Sequence, residues 1–154
     1  SSTGGFTDCL LQRGARKVHA VDVGKGQLDW KLRQDPRVVV HEGINARYLT
    51  AEEIGEPVDF ACCDVSFISV TLILPALVPV LTREAEMVIL VKPQFEVGRE
   101  QVGPGGIVRD PQLHAAACTR IDEAVRGFGF ETAMMESPVL GATGNKEFLL
   151  HAFH

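Results

Sequence analysis

A chain of 154 residues with 45% hydrophobic content is long enough for one ordinary domain with a sizeable core. Its 20 acidic and 15 basic residues give a formal charge of −5, which argues against gripping nucleic acid by bulk charge. A local basic rim or a separate RNA-binding partner stays open. The most apolar stretch, from Phe67 to Leu81, contains Pro75 and Pro79 and is shorter than the roughly 20 residues a membrane span needs. No signal peptide is visible, so a cytoplasmic protein without a membrane segment is expected.

In chain order, a glycine pair precedes a short helix from Phe6 to Arg13. A strand from Lys17 to Val23 and a helix from Gln27 to Arg33 follow. Then come a strand from Arg37 to His41, a helical turn near Thr50 to Ile54, and a strand from Val58 to Cys63. Residues 66–81 read as one kinked helix. The run from Glu86 to Val91 reads as a strand buried on both faces of a parallel sheet. A Gly-rich loop from Gln94 to Arg109 comes next, with Glu96 and Arg99 as parts of its mobile surface. Asp110 and Pro111 then suit the N-cap and first position of a helix through Arg126. Phe130 to Glu136 and Glu147 to Phe153 are the last strands. This alternation implies an α/β fold with a doubly wound, mostly parallel sheet and an antiparallel last strand.

The four cysteines, Cys9, Cys62, Cys63 and Cys118, show no Cys-x-x-Cys spacing and read as buried reduced thiols. The histidines show no metal-ligand spacing, so no metal is expected. Gly24-Lys25-Gly26 resembles half of a dinucleotide fingerprint, with Asp29 in the place of its third glycine.

Three strand ends carry polar residues on one expected rim. Lys92 closes an apolar strand and precedes Pro93, which cannot continue a central strand. Asp64 follows Cys63. Glu147 opens the last strand, whose antiparallel course brings its start to the same rim. Ligands of open α/β sheets bind there. The bland alternatives are a helix-capping Asp64, a lysine that reaches to water and an exposed strand-end Glu147. Ser1-Ser2-Thr3-Gly4-Gly5-Phe6 forms a turn into a helix, where a cofactor could approach the backbone closely. In nucleotide-binding α/β folds such a turn follows the first, central strand, so that strand is expected to be absent from this chain. Asp22, followed by Val23, stands where an acid commonly accepts ribose hydroxyls. Asn45-Ala46 could read an adenine edge or form a plain surface loop.

Together these segments resemble the TlyA group, sometimes labelled hemolysin-like, of FtsJ-like ribosomal RNA 2′-O-ribose methyltransferases. The matching stretches are Ser2-Thr3-Gly4-Gly5-Phe6-Thr7, Val21-Asp22-Val23-Gly24 with Gly26-Gln27-Leu28, Asp35-Pro36-Arg37-Val38 and Asn45-Ala46-Arg47. Further along they are Asp64-Val65-Ser66-Phe67-Ile68-Ser69, Val91-Lys92-Pro93-Gln94-Phe95-Glu96, Gln101-Val102-Gly103-Pro104-Gly105-Gly106 and Gly144-Asn145-Lys146-Glu147. The resemblance implies a Rossmann-like methyltransferase domain over residues 1–154, truncated at its amino terminus. It implies S-adenosyl-L-methionine as cofactor, held by Thr3, Gly4, Gly5, Phe6, Asp22, Val23, Asn45, Ala46 and Asp64. The family's catalytic set is Lys-Asp-Lys-Glu. Its last three members match Asp64, Lys92 and Glu147, and the first lysine lies before the glycine motif, outside this sequence. The implied partner is ribosomal RNA or a ribosomal subunit, with an upstream RNA-binding domain in the full-length protein and a homodimer as a further expectation. The competing reading is a catalytically incomplete module that binds cofactor or a partner protein.

Overall fold

The computed structural model describes residues 1–154, which form two compact units, Ser1–Glu56 and Pro57–His154. The first unit contains α1 (Gly5–Gln12), β1 (Val18–Asp22), α2 (Trp30–Gln34), β2 (Val38–Glu42) and α3 (Ala51–Ile54). Its two strands pair in parallel, Val18 opposite Val38 and Asp22 opposite Glu42. Local chemistry sets the helix starts. The Asp29 carboxylate accepts from the Lys31 amide and caps α2, so the helix begins three residues later than the apolar pattern suggests. Thr50 and Glu53 form a reciprocal capping box on α3.

The second unit contains β3 (Val58–Cys63), α4 (Leu74–Leu77), β4 (Leu81–Val91), α5 (Pro111–Arg126), β5 (Glu131–Glu136) and β6 (Phe148–Phe153). Its sheet has the order β3-β4-β6-β5. β3 is parallel to β4, whereas β6 is antiparallel to both β4 and β5, as expected for the last strand. β3, β4 and β5 therefore share one direction and β6 opposes it. Helix α5 starts as the sequence predicts, with Asp110 accepting from the Gln112 amide and Pro111 in the first turn. Its buried His114, Ala117, Ile121 and Val125 recur at helical spacing and form its core-facing stripe.

Three expectations need correction. Residues 66–81 are not one helix. They make a 3₁₀ turn at Val70–Leu72, the single turn of α4, and a second 3₁₀ turn at Val78–Val80. Pro75 and Pro79 lack the amide a continuous helix would use. β4 is not equally buried on both faces. Ala85, Met87, Ile89 and Val91 are fully enclosed, while the alternating Val88 and Leu90 are only half-buried. Fully burying a side chain such as Met87 or Ile89 is worth about 1.5–3 kcal/mol. Of the cysteines only Cys63 is buried; Cys62 and Cys118 are half-buried and Cys9 is exposed. Burial, then the neighbouring Asp64 carboxylate, pushes the Cys63 thiol up to about 12, so it stays a neutral core group.

Candidate active site

The register of the second unit brings three strand ends to one rim. Cys63 lies opposite Ile89, and Val91 lies opposite Phe148. Asp64, Lys92 and Glu147 are the residues that immediately follow or precede those pairs. The Lys92 Nζ is 2.6 Å from an Asp64 carboxylate oxygen and donates to the Ser66 hydroxyl at 3.2 Å. The lysine side chain is only 15% exposed and Asp64 40%, so the ammonium is largely withdrawn from water while its partner remains reachable. Asp64 caps no helix, since residues 64–69 form an irregular loop.

Glu147 joins this group electrostatically. Partial burial raises its carboxyl above the ordinary value; the Lys92 ammonium pulls it down and Asp64 pushes it up. Gly141 approaches it closely, because a Cβ there would stand 2.8 Å from a Glu147 carboxylate oxygen. The raised pKa has a sign that can be checked. The folded state holds the Glu147 proton more tightly than the unfolded chain, so its stabilising contribution is complete below about 4.5 and is lost as pH rises through the higher folded value. Glu147→Gln, which stays neutral, should therefore melt higher than the parent at pH 8 and at the same temperature at pH 4. Melting curves across that range check this, and a gap that does not change with pH would contradict it.

The loop after Asp64 holds features that the sequence reading missed. Phe67 is 90% exposed with a left-handed backbone (φ 66°), and its ring packs 5.1 Å from that of Phe95. An open aromatic face beside an ammonium can stack on a planar group such as a base. Glu96 is not on a mobile surface. It is 5% exposed, and its carboxylate accepts from the Ser69 hydroxyl at 2.6 Å and the Val70 amide at 3.0 Å. Asn145 is 1% exposed. It accepts from the Val108 amide and donates to the Gly106 carbonyl, both at 2.9 Å, fastening the Gly-rich loop beside Glu147.

The remaining predicted residues lie in the first unit, around a separate strand end. Gly4 is buried, has φ 106° and precedes α1. A Cβ there would meet Leu32 and Leu28 side chains, so glycine is needed for both conformation and packing. Gly5, by contrast, faces open space. Thr3 is exposed and Phe6 half-buried. Asp22 ends β1, and its carboxylate accepts from the Ser2 amide at 2.6 Å and the Gly24 amide at 3.0 Å. Partial burial opposes its ionisation, but the Gly24 and Ser2 amides act against it, and the carboxyl lies below its usual range. Val23 beside it is 69% exposed. Asn45 caps a 3₁₀ turn at Ala46–Tyr48 by accepting from the Arg47 amide. The half-fingerprint at Gly24 fails as a phosphate cradle. The Gly26 amide is held by Glu42, and Asp29 serves as a helix cap.

Known proteins resemble this chain. The model of the FtsJ-like methyltransferase family matches residues 1–153. The chain is 54% identical over 151 residues to the 16S/23S rRNA (cytidine-2′-O)-methyltransferase TlyA of Mycobacterium tuberculosis, covering 97% of this chain and 56% of that protein. It thus spans about half the length of that curated relative. A crystal structure of a protein named as a hemolysin from Lactococcus lactis superposes with a TM-score of 0.94 at 48% identity, covering 99% of this chain and 74% of the other. An O-methyltransferase from Bacillus cereus shares the fold at a TM-score of 0.66 and 15% identity, over 100% of this chain and 71% of the other. Despite the hemolysin name, no helix here is long and apolar enough to cross a membrane. Since that family model matches residues 1–153, the chain belongs to the FtsJ-like methyltransferases.

Proposed function

We propose that the protein carrying this chain transfers a methyl group from S-adenosyl-L-methionine to a ribose 2′-hydroxyl of ribosomal RNA, in the cytoplasm where ribosomes are assembled. The observation that carries the reading is the sheltered Lys92 ammonium, fixed between Asp64 and Ser66 at the strand ends and sensed by Glu147. The name of the M. tuberculosis relative supports the substrate class.

The first unit's residues fit the methyl donor. The Asp22 carboxylate is ionised, and each of its oxygens keeps a lone pair beyond its backbone bond for a ribose hydroxyl. Gly5 and the first turn of α1 offer backbone amides to a carboxylate, with Thr3 and Phe6 beside them, while the Gly4 amide closes the turn on the Ser1 carbonyl. Val23, Asn45 and Ala46 offer apolar and polar edges to an adenine. When bound, S-adenosylmethionine supplies a methyl on a sulfonium.

A ribose hydroxyl is a poor nucleophile at neutral pH. Lys92 stabilises the charge that develops on the oxygen; as the O–CH3 bond forms, the S–CH3 electron pair stays with sulfur in a neutral thioether and the hydroxyl proton passes to solvent water. Asp64 and Ser66 aim the ammonium, and Glu147 completes the orientation of the hydroxyl. Lys92 is held in an ion pair with Asp64, so positioning and electrostatic stabilisation are preferred over free-base catalysis. Holding oxygen and methyl in line can itself contribute an effective molarity of order 10⁵ M or more. The net charge of −5 supports weak RNA binding by this chain alone, which fits an RNA-binding domain elsewhere in the full-length protein.

Gly5 gives a direct test of the donor site. A Cβ at Gly5 meets nothing within 4 Å, so Gly5→Ala should leave the melting temperature almost unchanged. It should weaken S-adenosylhomocysteine about tenfold or more in calorimetry on the full-length protein, because the ligand approaches the backbone there. Unchanged affinity, or binding of a nicotinamide dinucleotide instead, would sink the donor assignment.

A further inference from the structure

Beyond Ile89 and Cys63 the β3–β4 ladder ends, and only side chains hold the two following segments together. They do so at three rungs. Lys92 pairs with Asp64 at 2.6 Å, the Phe95 ring packs on Phe67, and the Glu96 carboxylate takes both the Ser69 hydroxyl and the Val70 amide. The far rung is built from an expensive group. A carboxylate that is 5% exposed loses most of its hydration, and these two bonds are what its oxygens receive in return. The carbonyl of Glu96 is also fixed, by the Arg120 guanidinium at 2.9 Å from α5.

Between the rungs the loop is strained. Phe67 holds φ 66°, a conformation that costs a non-glycine residue of order 1–3 kcal/mol and persists only where its surroundings impose it. The Asp64–Lys92 pair grips one side of Phe67 and Glu96 grips the other. The Asp64 side of the Asp64–Lys92 pair is 40% exposed, and a single partly solvated ion pair is too weak an anchor alone. Releasing Glu96 would let residues 65–70 relax, and Asp64 and Ser66 would leave the ammonium.

We propose that Glu96 is a positioning residue, whose buried carboxylate holds the loop from Asp64 to Val70 in the strained form that aims Lys92. The inference rests on Lys92 acting on the substrate hydroxyl, but its geometric part can be tested without turnover. A neutral glutamine can still accept from the Val70 amide and donate to the Ser69 oxygen, whereas alanine can do neither.

The experiment uses the full-length protein. Glu96→Ala should lower kcat for methyl transfer about 30-fold while KM for both donor and RNA stays within about threefold. Glu96→Gln should restore kcat to within about threefold of the parent. Separately, the ¹H–¹⁵N signal of the Lys92 ammonium, assigned by its loss in Lys92→Arg, reports the ion pair. It should persist in the parent and in Glu96→Gln and vanish into solvent exchange in Glu96→Ala. If Glu96→Ala does not fold, Ser69→Ala removes one bond without emptying the core, and should lower kcat about three- to tenfold. Unchanged kcat in a folded Glu96→Ala or in Ser69→Ala, a glutamine variant as poor as alanine, or a retained ammonium signal in Glu96→Ala would overturn the proposal. If the parent itself transfers no methyl, the proposed reaction fails, and the ammonium signal alone then decides the role of Glu96.

Discussion

Lys92→Ala should reduce methyl transfer by the full-length protein by at least about 10²–10³-fold, the usual cost of removing a group that stabilises a developing oxyanion. Lys92 stands at the tip of β4 and is not itself among the candidate donor-binding residues. S-adenosylhomocysteine affinity should therefore change by no more than about threefold. Stability should also hold, because the Asp64 carboxylate left behind is 40% exposed and can be solvated. Lys92→Arg should not rescue. A planar guanidinium cannot stand where a compact ammonium fits between Asp64 and Ser66. Single-turnover transfer of labelled methyl, with calorimetry in parallel, measures both quantities. Near-normal transfer by Lys92→Ala would remove it from the mechanism.

Asn145→Ala should be the most damaging single change to the fold near the site. The Asn145 amide is enclosed and bonds the Val108 amide, the Gly106 carbonyl and the Thr143 hydroxyl. Truncation leaves the buried Val108 N–H without a partner, at about 1–3 kcal/mol, and also removes the bond to the carbonyl of exposed Gly106 and the packing of an enclosed side chain. A loss of about 2–4 kcal/mol corresponds to a melting temperature lower by roughly 5–15 °C for a chain of this size. Asn145→Asp should not recover it, because a carboxylate cannot donate to the Gly106 carbonyl. Activity should fall too, since Glu147 lies two residues on. A melting temperature within 2 °C or so of the parent would show that the Gly-rich loop does not depend on this amide.

The part of the site that sequence exposed was the part written in local pattern. The apolar run of β4 stops at Lys92-Pro93, β3 stops before Asp64, and the last strand is expected to run antiparallel, as β6 does. Those three facts alone bring Asp64 to Lys92 and Glu147 to the same rim. Asp110-Pro111 announced α5 because a cap and a first-turn proline need only their nearest neighbours. Glu96 and Asn145 were hidden for the opposite reason. Both are polar residues in Gly-rich stretches, and such stretches read as exposed loops. What buries them are partners 26 to 39 residues away, at Ser69, Val70, Gly106 and Val108. The left-handed Phe67 could not be foreseen either, since nothing in a phenylalanine favours that conformation. Over residues 66–81 Pro75 and Pro79 predict a kink, and the structure goes further, breaking the segment into separate turns.

The central claim is that the sheltered ammonium serves a ribose hydroxyl. The most direct measurement is transfer of isotope-labelled methyl from S-adenosylmethionine to unmodified ribosomal subunits by the full-length protein, followed by digestion of the RNA to nucleosides and mass analysis. The account predicts label on a 2′-O-methylated ribose, abolished by Lys92→Ala. Label on a base, or no transfer by a protein that binds the donor, would contradict it.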